Sequence, residues 1–258
     1  VAGQTSAPLG GVVNAGKSDG YLRALDEDGN VVYTRAAGAS AGEDSAQSIA
    51  QASDGGLIIA SEVDGRAVLT KYAAGDDGTG AAVWSMDLGN LDGGRIGEVT
   101  VGDDGAIYLA GAAGAGFAPS APLAANAGGR DAFLMKISDG PSASVDFTTF
   151  LGSAEDNSAN SVTVSNGVSY VSGKTSGALP GQTQTGDRNA FVAGFDTTSG
   201  AVTFTQQLSG RGGLAEANAV VVDPTGDNAL DKMGLPTGEV RYADSRVITA
   251  RSSVREGD

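Results

Sequence analysis

The sequence predicts an all-β fold, a β-propeller built from four-stranded blades, with about four repeats visible. Three observations lead there. Residues 3–22, "GQTSAPLGGVVNAGKSDGYL", align without a gap on residues 173–192, "GKTSGALPGQTQTGDRNAFV", so that Gly3, Thr5, Ser6, Gly16 and Tyr21 fall on Gly173, Thr175, Ser176, Gly186 and Phe191. Four runs of small or β-branched residues each carry one aromatic, Tyr33, Trp84, Phe147 and Phe204, spaced 51, 63 and 57 residues apart. Gly is abundant, at 41 of 258 residues, while aromatics make up only 5%, a composition with many tight turns and few large core anchors.

Each cycle reads as two hairpins. In the first kind, "GYLRAL" (20–25), "AVLTKY" (67–72), "AFLMKI" (132–137) and "AFVAGF" (190–195) precede the four aromatic runs, joined to them by "DEDGN", "AAGDDGTG", "SDGPSAS" and "DTTSG". Gly, Asp and Ser clusters between short apolar runs are hairpin turns. The second kind is "SIAQASDGGLIIAS" (48–61), "EVTVGDDGAIYLAG" (98–111) and "SVTVSNGVSYVSG" (161–173), turning at Gly55, Gly105 and Gly167. Length varies after the second strand, from "EVDGR" to "AAGAGFAPSAPLAANAGGR", as a surface loop does. Four-stranded units at this period are propeller blades. A β-sandwich gives no reason for a whole-unit repeat, and a β-solenoid has shorter rungs and few tight hairpins.

The pattern places propeller repeats over 1–226, starting mid-blade, and the start of a following domain or linker over 227–258. After "VVVDPTG" the second strand of a blade is due, but "DNALDKMGLPTGEV" follows. Asp227 is suited to cap a short helix over 229–233, ended by Gly234 and Pro236, with strands after it. The opening "VAG" aligns with "VSG" at 171–173, so both ends fall mid-pattern and a longer chain is expected. The rival arrangement pairs "ANAVVVDPTG" (217–226) with the amino-terminal hairpin and closes a four-bladed ring.

Charge excludes several partners. The net charge of −15 repels phosphate backbones and anionic lipid headgroups, so neither nucleic acid nor a membrane surface is expected as a partner. No apolar run approaches the roughly 20 residues of a membrane span, so no span is expected. Without Cys or His there is no zinc site of the Cys/His type, no Cys nucleophile and no His-based triad.

The remaining motifs have plain structural readings. "DEDGN" (26–30) sets Asp26 and Asp28 at alternate positions like the start of a calcium loop, but the closing Glu is missing, and the same slot elsewhere holds "DTTSG"; it reads as a hairpin turn. "GEDS" (42–45) and "AEDN" (154–157) pair acids that could flank a sugar; they read as acidic loops. "GAAGAGFAPSAP" (111–122) lacks the helix start and Lys of a phosphate cradle. Trp84 reads as blade core. Catalytic, cofactor-binding and metal-ligating residues are therefore all set at none, with no cofactor and no small-molecule ligand expected.

The third cycle resembles the bacterial SBBP-type β-propeller repeat, in "RDAFLMKI" (130–137), "FLGSAEDNSANSVTV" (150–164) and "YVSGKTSG" (170–177). Asp131, Ala132 and Phe133 stand where that repeat has its "DAF", and Gly173, Thr175 and Ser176 where it has "G-T-S". The likeness covers about residues 1–226, although "DGYLRAL" and "RAVLTKY" lack the signature. It implies a repeat architecture, often in secreted or surface proteins, and no catalytic residues. The tail, "ALDKMGLPTGEV…SRVITARSSVREGD", resembles segments of FlaEY-like flagellar-cluster proteins. Together these imply a non-catalytic module of a larger bacterial surface or flagellum-associated protein, outside the cell, whose partners are other subunits of that assembly. The expected contact is the 111–130 loop, with Phe117, Pro119, Pro122 and Leu123 as an exposed apolar patch. The alternative is a propeller that binds or hydrolyses glycans through loop carboxylates.

Overall fold

The computed structural model describes residues 1–10, 12–38, 40–209, 213–222 and 248–252, the last stretch by its backbone pairing. All of its regular structure is β. Blade I is a three-stranded antiparallel sheet of β1 (Ala2–Thr5), β2 (Asp19–Leu25) and β3 (Val31–Ala36). Blade II holds β4 (Asp44–Gln51), β5 (Leu57–Val63), β6 (Arg66–Tyr72) and β7 (Trp84–Asn90) in meander order. Blade III follows with β8 (Arg95–Val101), β9 (Ile107–Ala113), β10 (Asp131–Ser138) and β11 (Ser144–Leu151), and blade IV with β12 (Asn157–Ser165), β13 (Val168–Thr175), β14 (Asn189–Asp196) and β15 (Val202–Leu208). Beyond them β16 (Ala217–Val222) pairs with β17 (Ile248–Ser252).

The blades are arranged as in a propeller. The first strand of each full sheet packs beside the first strand of the next, β4 by β8, β8 by β12 and β12 by β16. Each of these inner strands carries a one-residue bulge, at Gln47, Gly97 and Asn160. A bulge re-aims the residue after it, and here that residue reaches the next blade. Ser48 Oγ accepts the Val99 N–H at 3.1 Å, Glu98 Oε2 accepts the Val162 N–H at 2.9 Å, and Ser161 Oγ accepts the Val220 N–H at 3.2 Å. The same step made three times binds neighbouring blades into an arc. Blade I starts from what is a second strand elsewhere, and β16 pairs with β17 rather than β1, so the ring is open and the closed four-bladed alternative is not adopted.

Period-two alternation divides the side chains between blade interfaces. On β9 and β10, Ile107, Leu109, Phe133 and Met135 join Ile58, Leu69 and Val99 in the core between blades II and III. Their neighbours Tyr108, Ala110, Ala132 and Leu134 join Val162, Val171, Phe191 and Phe195 between blades III and IV. A central strand sandwiched this way has no solvent face, and every residue of β9 is buried. The smaller core between blades I and II rests on Leu22, Ala46 and Ile59.

The four repeat aromatics occupy one register. Tyr33 is paired with Ala24, Trp84 with Lys71, Phe147 with Lys136 and Phe204 with Gly194, the same position on the third strand of each blade. The hairpin glycines also do what the sequence asks of them: Gly55 and Gly105 take φ of +82° and +76°, where a side chain would be strained. The expected boundary near 226 and the helix over 229–233 lie outside the described residues.

Candidate functional site

Blades are also tied together where their strands begin. The backbone just before the third strand of one blade pairs with the start of the next blade's first strand. Asp44 N–H reaches Ser18 O at 2.8 Å, Asn157 N–H reaches Arg130 O at 2.6 Å, and Ala215 N–H reaches Arg188 O at 2.8 Å. Between blades II and III the short 64–65 turn does the same, with Leu91 N–H on Gly65 O at 3.0 Å. These staples fix what stands on this rim. Asp44 is buried and accepts from Ser40 and from the Asp64 N–H; Asn157 is buried and bonds Asp131 and Thr175. Asp131, the "DAF" aspartate, is fully buried, which pushes its carboxyl above the usual aspartate range against the pull of its hydrogen bonds from Ala127 and Asn157.

Between blades III and IV this rim opens into a cleft of about 260 Å³. Arg95 begins β8, Arg130 precedes β10, Lys174 lies near the end of β13, and Arg188 precedes β14; all four line the cleft with Asp156, Ser158 and Ser176. Arg95 is anchored to Ser158 Oγ, by Nε at 3.3 Å and Nη2 at 3.1 Å, and to Asn160 Oδ1. Arg130 pairs with Asp156, which holds that carboxyl below its usual range. Lys174 and Arg188 share one carboxylate, Glu216, at 3.4 and 3.7 Å. Four cations thus meet two ion-paired acids, with Glu62 near Arg95 as a third, in a chain of net charge −15. The Arg188 Nε–H is buried and has no acceptor.

At the opposite end of the inner strands, cations are fully neutralised. Lys71 is 4% exposed, with Nζ 2.7 Å from Asp54 of its own blade and 2.6 Å from Asp139 of the next. The Trp84 indole N–H donates to the same Asp139 at 3.1 Å. One blade on, Lys136 repeats the arrangement with Asp104 at 2.8 Å and the Thr197 carbonyl at 2.9 Å. Tyr108 donates to Asp104, and burial together with that bond pushes its hydroxyl up to about 12. Blades I and IV have Ala24 and Gly194 at this position and lack the clasp.

The other expected positions resolve as follows. "DEDGN" is a turn in which Asp26 accepts from the Asp28 and Asn30 N–H groups and the Asn30 side chain, bonds that lower its pKa. In "GEDS", Glu43 is exposed beside Lys17 at 3.8 Å while Asp44 is buried, so the two acids serve different surroundings. In "AEDN", Asp156 goes to Arg130. The 111–130 loop presents only part of the expected apolar patch. Phe117 is buried, with its ring 5.8 Å from Phe133 and 6.3 Å from Phe150. Residues 121–123 lie along β11, where Thr148 N–H reaches Ala121 O and Leu123 N–H reaches Thr148 O, both at 2.8 Å. The loop covers the outer edge of its own blade; Pro119 is half-buried, and of the apolar four only Pro122 and Leu123 stay exposed. No group of three or more metal-ligating side chains occurs among the described residues, and no described helix is long and apolar enough to cross a membrane.

No family model matches the chain, so its likeness to the SBBP repeat remains one of pattern. The whole chain is 28% identical, over 299 aligned residues, to the regulatory protein FlaEY of Caulobacter vibrioides. The likeness first seen in the tail therefore extends over the entire sequence, and the chain spans 30% of that protein's length. Among solved structures the chain is similar to the Dos1 propeller, at 15% identity and a TM-score of 0.41, over 78% of this chain and 49% of that one. It is also similar to a protein of unknown function from Bacteroides caccae, at 9% identity and a TM-score of 0.34, over 73% and 68% of the two chains.

Proposed function

We propose that the chain is a non-catalytic propeller module of a larger flagellum-associated protein, displayed at the bacterial surface and acting through contacts with other subunits. The observation that carries this reading is the alignment of the whole chain with FlaEY. The architecture suits it: stitched blades make a rigid support, and Asp26, Asp44 and Asp156 are committed to a turn, a staple and an ion pair. The test is an in-frame deletion of residues 1–226 from the native protein, with filament assembly scored by electron microscopy and the protein located by immunogold labelling. Label at the cell surface or filament, with altered filaments in the deletion, is expected. Unaltered filaments and label confined to the cell interior would overturn the reading, and saturable binding on a glycan array would replace it with the glycan alternative.

A further inference from the structure

We propose that the cleft between blades III and IV binds a carboxylate group, presented by an acidic side chain or a free chain end of a partner protein. Three features carry this. Arg95, Arg130, Lys174 and Arg188 outnumber Asp156, Glu216 and the nearby Glu62, leaving a local positive surplus where the rest of the chain is strongly acidic. Arg188 lines the cleft with a side chain about a third exposed, its nearest carboxylate is shared with Lys174, and its buried Nε–H lacks the acceptor that buried donors almost always have. Arg95 is already oriented, because Ser158 and Asn160 hold its Nε and Nη2 and no described group takes its Nη1. A guanidinium fixed in this way costs little entropy when it binds a planar anion.

The same features select among anions. Guanidinium forks match the two coplanar oxygens of a carboxylate. The chain's overall −15 keeps polyanions away, so an isolated acidic group on a flexible segment is the form that can approach. The Lys71 clasp shows what a purely structural cation looks like in this protein: buried, with two carboxylates to itself. The ion-paired cleft cations are more exposed, and none has more than one carboxylate.

That the carboxylate belongs to a protein rests on the contact-module reading; the site itself does not. The test is a titration of the isotope-labelled 258-residue chain, following the arginine Nε–H resonances by NMR. Three probes are used: an acetylated, amidated glycine–glutamate–glycine peptide, an acetylated triglycine with a free carboxyl end, and inorganic phosphate. Saturable shifts of the Arg188 and Arg95 signals with either peptide are expected, and the tighter of the two identifies the carboxylate's source. Arg188→Gln and Arg95→Gln should each weaken binding about tenfold, as loss of a charge-assisted pair does, with amide signals elsewhere unmoved. No saturable shift, binding unchanged in both variants, or phosphate binding about tenfold tighter than either peptide would overturn the site. Peptide binding as expected, with no subunit lost from the cross-linked native assembly in Arg188→Gln, would uphold the site and overturn only its assignment to protein contacts.

Discussion

At one rim Lys71 lies between Asp54 and Asp139, one ammonium for two carboxylates; at the other, Arg130 holds Asp156, Lys174 and Arg188 share Glu216, and Arg95 is held by Ser158 and Asn160 alone. Both clusters join neighbouring blades, and both are built at the ends of strands. The difference is in desolvation and partner count. Lys71 has given up its water and must be paired, so the clasp is a structural tie whose removal leaves buried charge behind. The cleft cations keep much of theirs and are incompletely paired, so removing one exposes little and a new anion can join them. The same residue chemistry becomes structure in one place and a binding surface in the other.

That contrast can be broken first where it is largest. Trp84 fills the aromatic position beside Lys71 and donates to Asp139, so Trp84→Ala should cost about 3–5 kcal/mol in urea unfolding. A cost below about 1 kcal/mol would mean the aromatic register is not core. Lys71→Ala should cost about 3 kcal/mol, because it strands Asp139, itself only 14% exposed. Arg130→Gln at the other rim removes a pair about half exposed on both sides, and should change stability by no more than about 1 kcal/mol. Equal costs would erase the distinction between the rims.

Acid sharpens it further. Hydrogen bonding from Lys71 holds Asp54 below its ordinary value of 3.8. A carboxyl lowered on folding binds fewer protons folded than unfolded. Its stabilisation is therefore present above about pH 4 and fades as the pH falls below that value. Lys71→Met should flatten this acid limb in melts run across pH 2–6, whereas Arg95→Gln, which has no carboxylate among its hydrogen-bond partners, should leave it in place. The buried Asp131 and the half-buried Glu62 run the other way: desolvation raises both, so they oppose stability as the pH rises through the ordinary carboxylate range; Lys71→Met should leave that part of the curve unaltered, whereas Arg95→Gln, which removes a charge that pulls Glu62 down, should deepen it.

Much of the fold can be read from the residues because hairpins write locally. Tyr33, Trp84, Phe147 and Phe204 recur with their turn glycines, and their common register follows directly from that spacing. The bulges at Gln47, Gly97 and Asn160 leave no such mark, since a bulge depends on the partner strand and three different residues serve. Phe117 misleads for a related reason. It sits in a Gly- and Pro-rich loop, yet its ring is drawn in by Phe133 and Phe150 across the blade. The cleft is the least legible of all. Its four cations come from four separate places in two blades, and only the stacking of those blades assembles them. The one local hint was the acid pair in "GEDS" and "AEDN", read as acidic loops; both lead into staples, and the second stands at the cleft.

The most direct measurement compares Lys71→Met with Arg188→Gln by urea unfolding, with and without the glutamate peptide. The native chain should gain about 1.4 kcal/mol when the peptide is present at ten times its dissociation constant. Lys71→Met should be markedly less stable yet gain as much from the peptide, while Arg188→Gln should keep nearly native stability and gain only about 0.4 kcal/mol at the same peptide concentration. A peptide gain that survives in Arg188→Gln and disappears in Lys71→Met would contradict the division of labour between the two rims.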